Sequence, residues 1–265
     1  MMRSFFKINI AVLCGMALVL LSCGNKVKPN YNISDEELNA QAQAFLSNAR
    51  KELPKFVDDL GTLRAVEYDS RRKTMVWFYE LGWGVPLTFV LNRNPAYAKY
   101  RMVYKISISS NTHAMARLGI DLEEVYCYSN YKENREDTVS VILTNAEMRR
   151  SIEDTRYRDS ASVVWLAEVN NCENAGKRKP KVRYILNDTV ENNCLVRNIV
   201  VCRHSVFERY KTMTDEMALE EIRGNSCRDY IGLLNNAGLD FVARYIDART
   251  GEMVEGRVPY KALPH

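Results

Sequence analysis

The sequence predicts an α+β protein of two tandem α-β-β-α-β-β units, each an antiparallel four-stranded sheet with helices packed on one face. Three observations predict it. Eight short runs rich in β-branched and aromatic residues come in pairs joined by polar turns. Helical stretches separate the pairs, and short turns make neighbouring strands antiparallel. The order of elements also recurs when the second half is laid on the first at a constant offset of 119 positions. At that offset Arg64 falls on Arg183, Asp69 on Asp188, Gly119-Ile120-Asp121 on Gly238-Leu239-Asp240, and Tyr126 on Tyr245. The apolar Leu63 and Val66 fall on Val182 and Ile185.

The first unit spans 34–144. Ser34, with Glu37 three residues on, opens a helix as a capping box, and Pro54 stops it. Leu38, Phe45 and Leu46 give that helix an apolar face to lay on a sheet. "TLRAVEYD" and "TMVWFYEL" read as a hairpin around "SRRK". After the loop "GWGVPL" a helix from about residue 96 to 118, with a break in "SISSN", ends at Gly119. "DLEEVYCYSNY" and "DTVSVILT" close the unit around "KENRE". The second unit, 145–265, repeats this plan. It has a helix over 145–168, the hairpin "KVRYILND"/"NCLVRNIVV", and a long helix over 205–236 broken near Gly224. The hairpin "LDFVARYIDA"/"EMVEGRVPY" ends it. Ile231 and Leu234, with Cys227 one turn earlier, face the core from the last helix.

Ahead of the units, Arg3 and Lys7 precede an apolar run over residues 8–21. That run is shorter than the roughly 20 residues of a membrane-spanning helix and has the form of a secretory signal. Its end, Leu20-Leu21-Ser22-Cys23, resembles the bacterial lipobox. The resemblance implies a signal peptide over 1–22, diacylglycerol on the thiol of Cys23 and a lipidated tether over 23–33. A plain signal peptide or an uncleaved anchor is the alternative. Gly24 follows the cysteine, where an Asp would point to the inner membrane. The expected place is therefore the outer membrane, on its periplasmic or cell-surface face.

Removing the signal leaves roughly 240 residues, enough for one large or two small domains. With 46% hydrophobic and 26% charged residues the body is globular. The formal charge is +4, of which Arg3 and Lys7 supply two, so no nucleic-acid footprint is expected. "KRKPK" at 177–181 reads as a solvated loop. Five cysteines lie beyond the lipid site: Cys127, Cys172, Cys194, Cys202 and Cys227. An odd number cannot all pair, and their spacing matches no zinc pattern, so one or two disulfides or free thiols remain open. No metal or cofactor motif is read, and no catalytic residues are assigned. Cys202 and His204 share a strand face without a readable third group to orient them.

The opening Leu53-Pro54, Val57-Asp58 and Thr62-Leu63, the aromatic Trp77 and Tyr79, and the strand Tyr126-Cys127-Tyr128 resemble a small α+β domain of bacterial secreted proteins and lipoproteins. Cys227 and Gly238 match its helix and helix end in the second unit. Each copy departs from the pattern: the first lacks the helix cysteine, the second the opening. The resemblance implies a fold and a compartment but no activity. Trp77, Tyr79, Tyr126 and Tyr128 alternate along two strands and so share one face. That face lies either under the helices or outward, where it would form a contact surface. The functional expectation is a non-enzymatic envelope lipoprotein, held to the membrane by its lipid and binding a protein or ligand partner. An enzyme acting on envelope material between the units, or a structural spacer, is the alternative.

Overall fold

The computed structural model describes residues 33–57, 60–82, 84–106, 110–175, 177–224 and 228–263. Helix α1 (Asp35–Arg50) leads into β1 (Lys55–Val57), β2 (Gly61–Asp69) and β3 (Thr74–Glu80). Helices α2 (Pro86–Arg93), α3 (Ala98–Ile106) and α4 (Ser110–Leu118) precede β4 (Asp121–Asn130) and β5 (Arg135–Leu143). The second unit runs α5 (Asn145–Glu153), α6 (Thr155–Ala175), β6 (Arg183–Glu191) and β7 (Cys194–Val201). Then come α7 (His204–Tyr210), α8 (Thr214–Arg223), α9 (Arg228–Ala237), β8 (Asp240–Asp247) and β9 (Met253–Val258). Ser34 caps α1 by accepting the Glu37 amide at 3.2 Å. Gly119 and Gly238 take positive φ after α4 and α9, the left-handed stop that favours glycine. "GWGVPL" holds the start of α2, with Pro86 in its first turn, where a missing N–H costs nothing.

The sheets are mixed, not purely antiparallel. Each hairpin is antiparallel, but β3 pairs with β4 and β7 with β8 in parallel. The helices between hairpins carry the chain back across the sheet, so the next strand starts from the same end as the last. Hairpin patterns fix pairing within a hairpin and say nothing about the pairing between hairpins. The first sheet also has five strands, in the order β1-β2-β3-β4-β5, against four in the second, β6-β7-β8-β9.

The two sheets share a pairing pattern, antiparallel hairpins joined by a parallel pair, but the correspondence between them is not gapless. Strands β2 and β6, each the first of a hairpin, carry a bulge, at Arg64 and at Leu186. Matching the bulges puts β6 three positions later than the constant offset does, and the strand partners put β7 one position later. Asp69 therefore corresponds to Glu191, not Asp188, and Arg64 to Leu186, not Arg183. The hairpin turns account for the slip. Four residues join β2 to β3, while Asn192-Asn193, both at positive φ, make a two-residue turn between β6 and β7. The offset of 119 holds on β4 and β8, where Tyr126 and Tyr245 are fully buried equivalents.

Helix α6 joins the units. Ala161 and Trp165 enter the first core, while Val163 and Ala167 enter the second. A helix apolar on two sides must be covered on both. Thr144 and Glu147 cap α5 just ahead of it in a full capping box. Arg156 Nε donates to the Ala237 carbonyl at 2.8 Å, tying the start of α6 to the end of α9.

Candidate functional site

The sequence-level candidates separate. Cys23 lies outside the described residues. Trp77, Tyr79, Tyr126 and Tyr128 do share a face, but it is the one under the helices. Tyr79, Tyr126 and Tyr128 are buried and Trp77 packs against the same core. They form no exposed contact surface, because Met75, Leu122 and Leu143 lie on the same face beneath α1, α3 and α4. Tyr79 stacks on Tyr126 with ring centroids 5.9 Å apart. The Tyr126 hydroxyl donates to Glu124, which Arg101 meets at 3.2 Å. Burial first, and Glu124 second, push that hydroxyl well above the usual tyrosine range.

The thiol of Cys202 points to the Pro180 carbonyl at 3.8 Å. His204, two residues on, turns elsewhere: its Nδ1 lies 2.5 Å from Asp247 Oδ2 and its Nε2 3.5 Å from Glu208. The Arg249 amide first, and His204 after it, hold the Asp247 carboxyl below the usual range. This joins the first residue of α7 to the last of β8. Among the described residues no three His, Cys, Asp or Glu side chains gather to hold a metal. No described helix is long and apolar enough to cross a membrane.

A second buried polar group lies where α6 meets β6. Arg197 and Asp188 are cross-strand partners, joined by bonds of 2.8 and 2.7 Å, and both are 1–2% exposed. Tyr230 donates to Asp188 at 3.2 Å and accepts from Asn170 at 2.8 Å. Burial pushes the Tyr230 hydroxyl up, and Asp188 adds to that. Asn171 grips the Asp188 backbone, donating to its carbonyl at 2.8 Å and accepting its amide at 2.6 Å. These groups satisfy one another, which is what a buried polar group needs in order to be tolerated. They offer nothing to a ligand.

A groove of about 490 Å3 beside the start of β6 faces solvent. One wall is the exposed run Lys177 to Pro180; the floor is Arg183 to Leu186 with Ile199; Glu221 of α8 closes one end. Leu186, the bulged residue, is 47% exposed. Arg183 pairs with Glu221, Lys177 reaches Asn174 at 3.3 Å, and Lys179 lies 4.8 Å from the Tyr184 ring centroid. Arg178 and Lys181 have no polar partner among the described residues. "KRKPK" is therefore solvated, as its composition predicts, but it also borders the groove. Sequence reasoning missed this because only the fold sets that loop beside an open strand.

Cys127, Cys172, Cys194 and Cys202 are all free thiols; Cys227 lies outside the described residues. Burial, and then Glu168, pushes Cys172 up to about 11, and burial raises Cys194 as well. Since the thiolate is the reacting form, a reaction order follows. In native protein at neutral pH, iodoacetamide is expected to modify exposed Cys202 first, with Cys172 and Cys194 resisting until the chain unfolds. Peptide mapping over a time course checks this, and early labelling of Cys172 would refute a closed α6–β6 junction.

No known protein family matches the sequence, and no curated protein matches it either. Among solved structures, that of a Pseudomonas aeruginosa protein provisionally described as secreted is similar over 41% of this chain and 95% of that one. The identity is 18% and the TM-score 0.34, too remote to inform function.

Proposed function

We propose that the chain is an exported lipoprotein, anchored through Cys23 in the outer membrane, whose body binds an envelope partner of negative charge. The groove beside β6 carries this reading: cations on an exposed rim next to exposed apolar side chains, open to solvent. The lipobox-like end of the leader supports the anchor. Two lipid signals or more hold a chain at a membrane far better than one acyl chain.

The test is cross-linking in intact cells, then purification of membranes and identification of bound proteins, with Cys23→Ser as the unanchored control. A specific partner, lost in the control and weakened by charge reversal at Lys177 and Arg178, is the expected result. A wild-type chain found soluble and unlipidated would sink the anchor. A partner indifferent to the charge reversal would move binding off the groove. The enzyme reading has one observation in its favour, the His204–Asp247 pair, which resembles the base and orienting group of a nucleophilic site. It gains weight only if His204→Ala abolishes turnover of an envelope substrate.

A further inference from the structure

Resting on that reading, we infer that the open edge of β6 takes up an extended acidic segment of the partner as an added strand. The molecule carries the precedent within itself. In the first unit the short strand β1 lies antiparallel on β2, pairing Lys55, Phe56 and Val57 with Leu63, Thr62 and Gly61. Matched through the two bulges, those β2 positions correspond in turn to Ile185, Tyr184 and Arg183 of β6. These three residues line the groove. No strand covers them among the described residues, since β6 is the outer strand of its sheet and pairs only with β7. The connector from α6 to β6 is shorter than the one from α1 to β2, and its described residues form no strand.

The backbone there is available. Cys202 N–H donates to the Val182 carbonyl at 2.8 Å, so Val182 turns its polar groups toward β7. Antiparallel strands alternate, so Arg183 and Ile185 turn theirs outward. Further along, the same edge is occupied, because Asn171 holds both backbone groups of Asp188. The free stretch is thus short and bounded, which suits one segment and discourages open-ended pairing. Main-chain hydrogen bonds would give affinity, while Ile185 and Leu186 receive alternate side chains.

Charge selects the occupant. Lys177, Arg178 and Lys179 border the stretch, and the one carboxylate there among the described residues, on Glu221, is held by Arg183. A second copy would bring the same cations against them. The chain's own tether, "CGNKVKPNYN", carries two lysines and no acid. Like charges at close range oppose both. An acidic extended segment remains.

The experiment uses purified full-length protein in detergent and a fluorescein-labelled nonapeptide of alternating valine and glutamate. Binding is expected to weaken about tenfold when alternate peptide amides are N-methylated, the effect of losing one or two hydrogen bonds. Charge reversal of Lys177, Arg178 and Lys179 together should weaken it at least as much. The Arg183 and Ile185 amides should exchange slowly with solvent deuterium only when peptide is bound. Equal binding of the N-methylated peptide, or unchanged exchange at those amides, overturns strand addition even if cross-linking in cells still finds a partner. Retention on phosphatidylglycerol vesicles with no peptide binding also overturns it, and assigns the cations to lipid. The N-methylated peptide tests the wild-type chain, so the answer does not depend on a variant folding.

Discussion

Replacing Arg197 with methionine is expected to cost about 3–5 kcal/mol of folding stability, as removal of one partner from a buried ion pair does. The guanidinium and the Asp188 carboxylate are among the most buried charged groups of the described residues, and two bonds join them. With Arg197 gone, the side-chain bond left to the carboxylate among the described residues is that of the Tyr230 hydroxyl, at 3.2 Å, too little to offset its desolvation. Asp188→Ala should cost at least as much. A carboxylate left alone can take up a proton, whereas a guanidinium cannot shed its own. Urea unfolding at neutral pH measures both.

The first unit shows what stands at this place when the charges are absent. Val66 and Trp77 occupy the positions of Asp188 and Arg197, and they pack into the first core. One fold thus accepts either an apolar or an ionic pair across the same two strands. The double variant Asp188→Val with Arg197→Met should therefore recover more than half of the single-variant loss, since an apolar pair of like volume often serves as well. Tyr230 would still accept from Asn170, but its own proton loses the Asp188 acceptor, so recovery stops short of complete. A single variant costing under about 1 kcal/mol, or a double variant no better than the single ones, would refute a coupled pair.

Much of this chain was legible from local chemistry, and what was not depended on long-range pairing. The hairpins could be read because alternation and turn residues act within a few positions. Ser34 and Gly119 marked helix ends for the same reason. The parallel β3–β4 and β7–β8 pairs could not be read, because helices several turns long decide how one hairpin returns to the next. β1 escaped notice because it is three residues long and Phe56, at its centre, is 69% exposed. Asp188 and Arg197 look like surface strand charges until the bulge sets them opposite each other beneath α6 and α9. The constant offset failed for a related reason. A two-residue Asn-Asn turn in place of a four-residue one shifts the register of a whole strand, and only the bulges reveal by how much. The groove then follows from a strand, β1, that has no counterpart among the described residues of the second unit, which no single motif could announce.

Gly256→Ala is expected to cost about 3 kcal/mol, near the upper end for overpacking. A Cβ at Gly256 would lie 1.9 Å from the Thr214 carbonyl oxygen and 2.4 Å from its carbon. Those atoms are backbone at the first residue of α8, so no rotamer change can make room. The helix cannot simply slide away. Asp215, its second residue, accepts the Arg257 amide at 2.9 Å, and fully buried Ala218 would itself be 3.0 Å from the new methyl. Either α8 shifts and that bond breaks, or β9 bends away from β8. Gly232→Ala is the control. It sits in α9 with nothing within 4 Å of the added Cβ, so it should be neutral or gain up to about 1 kcal/mol from helix propensity. Thermal and urea unfolding of both variants decide the matter, and a Gly256→Ala protein as stable as wild type would show that α8 does not pack against β9 this closely. The consequence reaches the groove, because α8 also carries Glu221, the partner of Arg183. A shifted α8 should release that pair, so Gly256→Ala should change binding of the acidic peptide even under conditions where the variant remains folded.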